Sequence, residues 1–421
     1  MSFQQGLSGL NASSKNLEVI GNNIANANTY GSKMSRAEFA DMYASAMNGT
    51  GSNDIGIGVN LQTVAQQFTQ GNISTTDNPM DLAINGSGFF QVKDANNQTL
   101  YTRNGQFKVD PSGFIVNNDK MQLMGYPADA NGLIQPGQAQ ALQLPTAGIK
   151  PQATTAVSLE INLDSRLGTT EQATDPKIDF DKAATYNNAR SMTLHDDKGQ
   201  DVAVTYYFQK SDTDKWNVYM TANDVSVNVD ASGNPLPVTT LDFPPNGSAP
   251  IAPSGSLTLD IPASTNAAGA QTLPITGVKL DLATSTQYGE SFQVTDMKQD
   301  GYAPGQLSNI VIGKDGVVMA RYSNGESKSA GQIEMANFAN PQGLQPLGGN
   351  LWARTPTSGE PVVGTPGDGK LGLLQAGALE ESNVDLTAEL VNMITAQRSY
   401  QANAQTIKTQ DQVLQTLVNL R

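Results

Sequence analysis

Both ends of this chain carry a helical pattern, whereas almost everything between them reads as short strands and turns. The last 36 residues, Leu386–Arg421, contain no Gly and no Pro, and their apolar residues recur at alternating steps of four and three. At 1.5 Å per residue such a helix would span ~54 Å, longer than most helices of globular domains. Phe3–Ile24 repeats the heptad spacing. We therefore expect the two ends to pair as a coiled coil at one pole of the molecule.

The composition of these helices indicates how they are used. Gly6, Gly9 and Gly21 each weaken a helix by ~1 kcal/mol relative to Ala, so the N-terminal helix is poor when alone. The outer faces hold Asn, Gln, Thr, Ser and Ala rather than Glu and Lys, which favours packing against further helices over a merely solvated face. Asp385 or Ser382 is expected to cap the C-terminal helix. The heptad positions predicted to form the helical core, within one chain or between subunits, are Phe3, Leu7, Leu10, Leu17, Ile24, Leu386, Leu390, Met393, Tyr400, Ile407, Leu414 and Val418.

The middle of the chain is predicted to be β-structure. Apolar runs flank short turn sequences such as Asn85–Gly88, Asn104–Gly105 and Asp110–Gly113, which is the pattern of hairpins. Many short strands with such turns indicate sandwiches or barrels. The predicted fold class is therefore α+β and multi-domain, with paired terminal helices and two nested all-β domains.

Composition also suggests where the domains begin and end. Gly, Asn and Ser dominate residues 45–60, and residues 355–372 hold three Pro and five Gly, so both stretches are expected to be hinge-like linkers. The expected divisions are a helical domain of 1–30 with 380–421, a connecting region of 31–71 with 356–379, an inner β-domain of 72–145 with 290–355, and an inserted outer β-domain of 146–289.

The charge balance and the missing residue types exclude several functions. The net charge of −14 argues against a protein that binds duplex nucleic acid. Residues 1–45 have no net charge and residues 371–421 have a net charge of −2, so the residues between them carry the remaining −12. The chain has no Cys and only His195, which leaves no disulfide, thiolate metal site or multi-histidine site.

Weak motifs do not indicate an enzyme. The first 14 residues lack Lys and Arg, no secretory signal peptide is expected, and no apolar run is long enough to span a membrane. Gly364–Lys370 has phosphate-loop spacing, but Leu371 stands where Ser or Thr is needed. Asp196–Asp201 gathers carboxylates, but a hairpin turn explains them better than a calcium loop. We therefore expect no catalytic site, no cofactor and no metal.

Two long motifs, Val19–Lys33 near the start of the chain and Glu389–Ala404 near its end, resemble signatures of the bacterial flagellar rod, hook and hook-associated protein family. The signature of the N-terminal motif includes Gly21, Asn22, Asn23, Ile24, Ala25, Asn26, Tyr30 and Gly31. The segments that carry the resemblance are Gly6–Asn11, Val19–Lys33, Asp81–Phe90, Tyr101–Phe107, Gly331–Asn340, Gly377–Asp385, Glu389–Ala404 and Thr406–Arg421. Rod members resemble both ends but are much shorter, and the inserted middle near 130–300 is typical of a hook subunit.

The resemblance implies a structural subunit that polymerises into a curved tube, the flexible joint between rod and filament. The alternative within the same family is a rod protein or a hook–filament junction protein. The implied partners are further copies of the chain, the distal rod protein, the hook cap, the junction protein and the flagellar type III export apparatus. The implied location is the basal body and hook at the cell exterior, reached without a cleaved signal peptide.

Overall fold

The computed structural model describes residues 2–42, 56, 58–129 and 132–419. Helix α1 (Ser2–Ala25) and helix α2 (Leu386–Asn419) occupy the two ends, as the spacing predicts. Asp385 Oδ1 accepts hydrogen bonds from the backbone N–H of Thr387 at 2.9 Å and of Ala388 at 3.1 Å. These bonds satisfy free donors of the first turn, so Asp385 caps α2. Neither helix is long and apolar enough, over its described residues, to cross a membrane.

The region between the helices is built from short strands. In chain order they are β1 Ser35–Met42, β2 Gly58–Gln66, β3 Ile73–Thr75, β4 Leu82–Asn85, β5 Phe89–Lys93, β6 Thr99–Thr102, β7 Lys108–Val109, β8 Ile115–Val116, β9 Gln122–Pro127, β10 Gln140–Ala141, β11 Ala156–Asn162, β12 Asn188–His195, β13 Asp201–Asp212, β14 Lys215–Ala222, β15 Val225–Ser226, β16 Thr239–Asp242, β17 Leu257–Ile261, β18 Ile275–Asp281, β19 Gln293–Gln299, β20 Leu307–Ile312, β21 Val317–Tyr322, β22 Ser327–Ile333, β23 Met335–Asn337, β24 Gln345–Gly348, β25 Leu351–Ala353, β26 Val362–Gly364, β27 Leu373–Ala376 and β28 Ala378–Glu380.

The chain divides into two compact units, one inserted into the other. Unit 1 comprises Met1–Thr146, Asn309–Arg321 and Ser327–Arg421, and unit 2 comprises Ala147–Ser308 and Tyr322–Glu326. This arrangement, with α-helices at the two ends and, over the described residues between them, strands and two short 3-10 helices (Ala183–Thr185 and Pro341–Gly343), confirms the predicted fold class. The finer division into four segments stays a prediction.

The main sheet of unit 1 interleaves strands from before and after the insertion. Its order is β20-β21-β22-β9-β5-β6-β25-β24, so β9, β5 and β6 lie between strands that follow unit 2 in the sequence. The core contains Phe90, Phe107 and Ile115, all at most 1% exposed. The predicted linker 355–372 is tied to this sheet, because β26 within it pairs with β23. The other predicted linker, 45–60, lies mostly outside the described residues.

A recurrent turn closes many of the hairpins. An Asp or Asn side-chain oxygen accepts hydrogen bonds from the backbone N–H groups two and four residues later, and the residue three positions on has a positive φ. The turn occurs at Asp94, Asp110, Asn117, Asp196, Asp230 and Asn266. The carboxylate of Asp196 is thus used by the predicted hairpin turn, and its second oxygen accepts from Leu273 N at 2.8 Å.

Unit 2 packs two sheets around one core. One sheet has the order β17-β18-β11-β19, and the other has β12-β13-β14-β15 with β16 beside β14. Trp216, Phe208 and Tyr206 are among the largest side chains buried in the core. The unit contains twenty acidic and ten basic residues and so carries −10 of the chain's −14. The negative charge of the chain is therefore concentrated in unit 2.

Candidate assembly surface

Helices α1 and α2 pack against each other in an antiparallel pair. A β-carbon placed on Gly6 would lie 3.1 Å from Ile407 Cγ1, and one placed on Gly9 would lie 2.9 Å from Asn403 Nδ2. The later residue of α1, Gly9, meets the earlier residue of α2, Asn403, so the two helices run antiparallel. The two glycines that weaken α1 in isolation therefore permit close approach of α2.

The face of α2 turned towards the chain differs from the predicted heptad seam. Over its described residues, its buried or half-buried positions are Glu389, Met393, Ala396, Asn403, Ala404, Ile407 and Gln410, of which only Met393 and Ile407 belong to the predicted core set. Small and amide side chains suit this face because the glycines of α1 bring the two backbones close together. Most of the large apolar residues of α2 therefore lie off the face that pairs with α1 in the same chain.

Most predicted core residues of α2 are exposed. Leu386 is 41% exposed and Leu390 50% exposed. Ile394, which lies outside the predicted set, is 51% exposed, and these three residues follow i, i+4, i+8 spacing. We call them the α2 stripe. Tyr400 and Leu414 are also exposed, and the side chain of Val418 lies outside the described residues. An exposed apolar stripe of this kind on a long helix is a candidate interaction surface.

The predicted residues of α1 divide in a similar way. Phe3 and Leu7 are exposed, one helical turn apart. Leu10, Leu17 and Ile24 are half-buried. The terminal helices therefore present apolar side chains beyond those that they use to pair with each other.

Strands β1 and β2 form an antiparallel pair bound to α1. Ser8 Oγ donates to Val59 O at 2.5 Å and accepts from Val59 N at 2.8 Å. Asn23 Nδ2 donates to Ser35 O at 2.8 Å, and Asn23 Oδ1 accepts from Ser35 N at 2.9 Å. Buried Asn23 thus holds the start of β1 against the end of α1, within the region predicted as connecting.

The family-signature residues span the end of α1 and the turn that follows it. Asn22 and Ala25 are exposed, and the Asn22 carbonyl accepts from Asn26 N at 3.1 Å. The Tyr30 carbonyl accepts from Asn350 Nδ2 at 2.9 Å. Gly31 has a φ of +71°, and a β-carbon there would lie 2.5 Å from Asn104 N, so this position requires glycine. Gly21, in contrast, has nothing within 4 Å of its β-carbon position.

A buried ion triad ties the start of β1 to β28 and to the loop after β6. Lys33 Nζ lies 2.6 Å from Glu380 Oε1, and Arg103 Nη1 lies 3.0 Å from Glu380 Oε2. The side chains of Lys33 and Glu380 are 0% exposed, and that of Arg103 is 5% exposed. Gly71 N also donates to Glu380 Oε1, at 2.9 Å. One carboxylate therefore joins four separate segments of unit 1.

Burial sets the electrostatics of this triad. It lowers the pKa of Lys33, and Glu380 opposes that shift, whereas neighbouring Arg103 lowers the pKa further. Burial likewise lowers the pKa of Arg103 against the attraction of Glu380. Two cations share one anion, so the triad depends on Glu380. Sequence reasoning missed this cluster, although the rarity of charge in the surrounding motifs was an available signal.

Family comparisons agree with the layout of helices and inserted β-units. Residues 3–33 match the model described as "Flagella basal body rod protein", and residues 375–420 match "Flagellar basal body rod FlgEFG protein C-terminal". Residues 83–167 match "Flagellar hook protein FlgE/F/G D1 domain", and residues 162–302 match "Flagellar basal body protein FlaE D2 domain". The fold and its terminal helices thus define a structural protein of the flagellar basal body and hook.

Full-length relatives specify the family. The chain is 43% identical to the flagellar hook protein FlgE of Salmonella typhimurium and 41% identical to that of Escherichia coli, with all of each chain covered. It is 32% identical to that of Treponema pallidum, over all of this chain and 99% of the relative. The protein belongs to the flagellar hook protein family and is a structural hook subunit. A solved Helicobacter pylori hook protein, FlgE2, shares the fold, with a TM-score of 0.51, 16% identity and 73% of this chain covered.

Proposed function

We propose that the subunits assemble through the terminal helices and that the residues predicted for the helical core make contacts between copies. The observation that carries this proposal is the exposed α2 stripe of Leu386, Leu390 and Ile394. Full burial of a Leu or Ile side chain contributes ~1.5–3 kcal/mol, so completing the burial of each half-exposed residue contributes ~1 kcal/mol. The stripe and the exposed Phe3 and Leu7 together supply several kcal/mol per subunit.

The helix pair is weak before assembly. Glu389 is 6% exposed and lies in the face that α2 turns towards the chain, and its Oε2 has no hydrogen-bond partner among the described residues. A buried polar atom without a partner destabilises its site. Gly21 adds the low helix propensity of glycine to α1 without a close contact inside the chain. Such helices gain their stability when neighbouring subunits cover the stripe.

The partners and the export route that we propose follow from this role in the hook. The polymer meets the distal rod protein at its base, the cap during growth and the junction protein at its far end. The subunit reaches the exterior through the flagellar type III export apparatus. It carries out no catalysis, binds no nucleic acid and inserts into no membrane. In cells that lack the gene, electron microscopy should show complete rods without hooks; truncated rods would instead assign the chain to the rod group.

Leu390→Asp tests the assembly surface directly. Leu390 is exposed, so the change should leave the folding of unit 1 intact. An Asp in the subunit contact loses the apolar burial and desolvates a charge, which together lower polymer affinity by more than ~100-fold. Seeded polymerisation of the purified chain, followed by sedimentation and negative-stain electron microscopy, measures this loss.

A matched control separates assembly from general surface effects. Val363, on β26 of the same unit, is similarly exposed at 48%. Val363→Asp should polymerise like the unaltered chain, whereas Leu10→Asp, at a half-buried position of α1, should abolish polymerisation with both β-units still folded. Normal polymers of Leu390→Asp, or equal losses for Leu390→Asp and Val363→Asp, would contradict the proposal.

A further inference from the structure

Unit 2 contains a cavity that the assembly of the terminal helices does not use. Its volume is about 290 Å³, and it opens beside β13 and β14. The residues that line it are Pro176, Ile178, Asp179, Phe180, Asp181, Tyr207, Thr221, Asp224 and Pro235. All of them belong to unit 2, so the site is complete within one compact unit. We call it the unit 2 cavity.

The aromatic residues Phe180 and Tyr207 line the unit 2 cavity, and Tyr186, which is not a lining residue, packs against Tyr207. The centroids of Phe180 and Tyr207 lie 4.7 Å apart, and those of Tyr186 and Tyr207 lie 4.9 Å apart. Phe180, Tyr186 and Tyr207 are all half-buried. The face of an aromatic ring attracts a cation held within ~6 Å of its centre. This aromatic lining therefore suits an organic cation with an apolar stem.

The charged residues around the rings favour the same class of ligand. Asp181 and Asp224 are exposed residues that line the same cavity as Tyr207, and both raise the pKa of the Tyr207 phenol, which burial raises most. Asp179 is occupied, because Lys182 Nζ lies 2.8 Å from its Oδ2. Asp181 also acts on Lys182, whose pKa it raises, and it lines the unit 2 cavity together with Asp224, so both carboxylates contribute negative potential there.

A buried hydroxyl supplies an independent sign of a ligand. Thr221 lines the cavity and is 1% exposed, and apart from its interaction with the Tyr207 phenol its Oγ1 has no hydrogen-bond partner among the described residues. The hydroxyl also lies near enough to Tyr207 to lower its pKa, although burial raises that pKa more. Buried polar atoms are normally satisfied, so an N–H donor in the cavity would complete the bonding of Thr221.

We propose that the unit 2 cavity binds an alkylguanidinium or alkylammonium group, with its stem against Phe180 and Tyr207 and its charge between Asp181 and Asp224. Such a group is carried by free amines and by the Lys and Arg side chains of a second copy of the chain. The proposal is independent of the assembly role of the terminal helices, because every residue that it uses lies in unit 2.

Calorimetric titration of the full chain tests the chemistry. The probes are n-butylguanidinium and n-butylammonium chlorides, with n-butanol and glucose as neutral comparisons. The cations should bind with millimolar affinity that weakens as salt is added, and the neutral probes should not bind. Absence of cation binding, or equal binding of n-butanol or glucose, would overturn the proposal.

Substitutions locate the binding. Asp181→Asn with Asp224→Asn should lower cation affinity ~10-fold or more, because both attracting charges are removed. Thr221→Val keeps the shape and removes the hydroxyl, and it should weaken n-butylguanidinium binding several-fold. The matched control is Asp212→Asn, an exposed carboxylate of the same unit outside the cavity, which should bind normally. Unchanged affinity in the double variant would refute the site even if the cations bind.

Polymerisation identifies the source of the cation. If a Lys or Arg of a second copy occupies the cavity, saturating n-butylguanidinium and the Asp181/Asp224 double variant should both weaken the polymer. If the natural ligand is a free amine, polymerisation should be unchanged while the titration result holds. Either result supports a cation site, and the titrations above decide whether the site exists.

Discussion

Glu380→Gln removes the only negative charge of the buried triad while keeping the shape of the side chain. Breaking a buried ion pair by removing one partner destabilises a protein by ~3–5 kcal/mol. Here Lys33 and Arg103, at 2.6 and 3.0 Å, both lose the same carboxylate, so the upper half of that range is expected. With a denaturant slope of ~2 kcal/mol/M, the urea midpoint of unit 1 should fall by ~2 M.

The two tryptophans allow the two units to be measured separately. Trp352 belongs to unit 1 and Trp216 to unit 2, and both are buried. In a Trp216→Phe background the remaining fluorescence reports unit 1, and in a Trp352→Phe background it reports unit 2. Glu380→Gln should lower the urea midpoint only in the first background.

A neighbouring carboxylate provides the control for Glu380. Glu381 is half-exposed and accepts from Asn72 Nδ2 at 3.1 Å, so Glu381→Gln should change stability by less than ~1 kcal/mol. A Glu380→Gln effect as small as this, or one that appears in the Trp216 signal of unit 2, would refute the account of the triad.

The pH dependence of the Glu380→Gln variant follows from Lys33. Burial lowers the folded-state pKa of Lys33, so between that pKa and its ordinary value the unfolded chain binds more protons and stability rises with pH. Without Glu380, which opposes the shift, the pKa falls further. The stability deficit of the variant should therefore shrink as the solution becomes alkaline, and a deficit that grows would contradict this sign.

Two further experiments test other parts of unit 1, read from the Trp352 signal. Gly21→Ala should stabilise the subunit by up to ~1 kcal/mol, because no described atom lies within 4 Å of the added β-carbon. Gly31→Ala should destabilise the subunit by at least ~2 kcal/mol, because Gly31 has a positive φ and its β-carbon would contact Asn104 N. Equal effects of the two changes would be inconsistent with this contrast. Burial raises the pKa of Glu334, although the hydrogen bonds from Tyr126 and Gln91 oppose this shift. The free energy of unfolding should therefore fall as the pH rises from the ordinary pKa of a Glu to the raised pKa of Glu334. Glu334→Gln should remove this pH dependence.

Local patterns in the sequence determined a large part of the fold. Heptad spacing and the absence of Gly and Pro define α2, and Asp385 caps it as expected. The Asp and Asn turns at Asp110 and Asp196 can be read from four or five consecutive residues. These features were predictable because the residues that make them are neighbours in the chain.

The predicted connecting region shows order that composition does not report. Residues 31–71 contain β1, β2 and the buried Lys33. The bonds that order this segment come from side chains such as Ser8 and Asn23 on α1. Weak strand propensity is overridden when a distant element supplies the hydrogen-bond partners.

Only the tertiary structure shows which apolar residues of the terminal helices remain exposed after the two helices pair. Heptad spacing marks Leu390 and Met393 equally, but the close contacts at Gly6 and Gly9 turn α2 so that Leu390 stays exposed. Likewise, Lys33, Arg103 and Glu380 form one cluster although Glu380 lies 347 and 277 residues from its partners. Sequence periodicity reports the conformation of neighbouring residues, whereas helix rotation and charge pairing depend on contacts that exist only after distant segments have packed together.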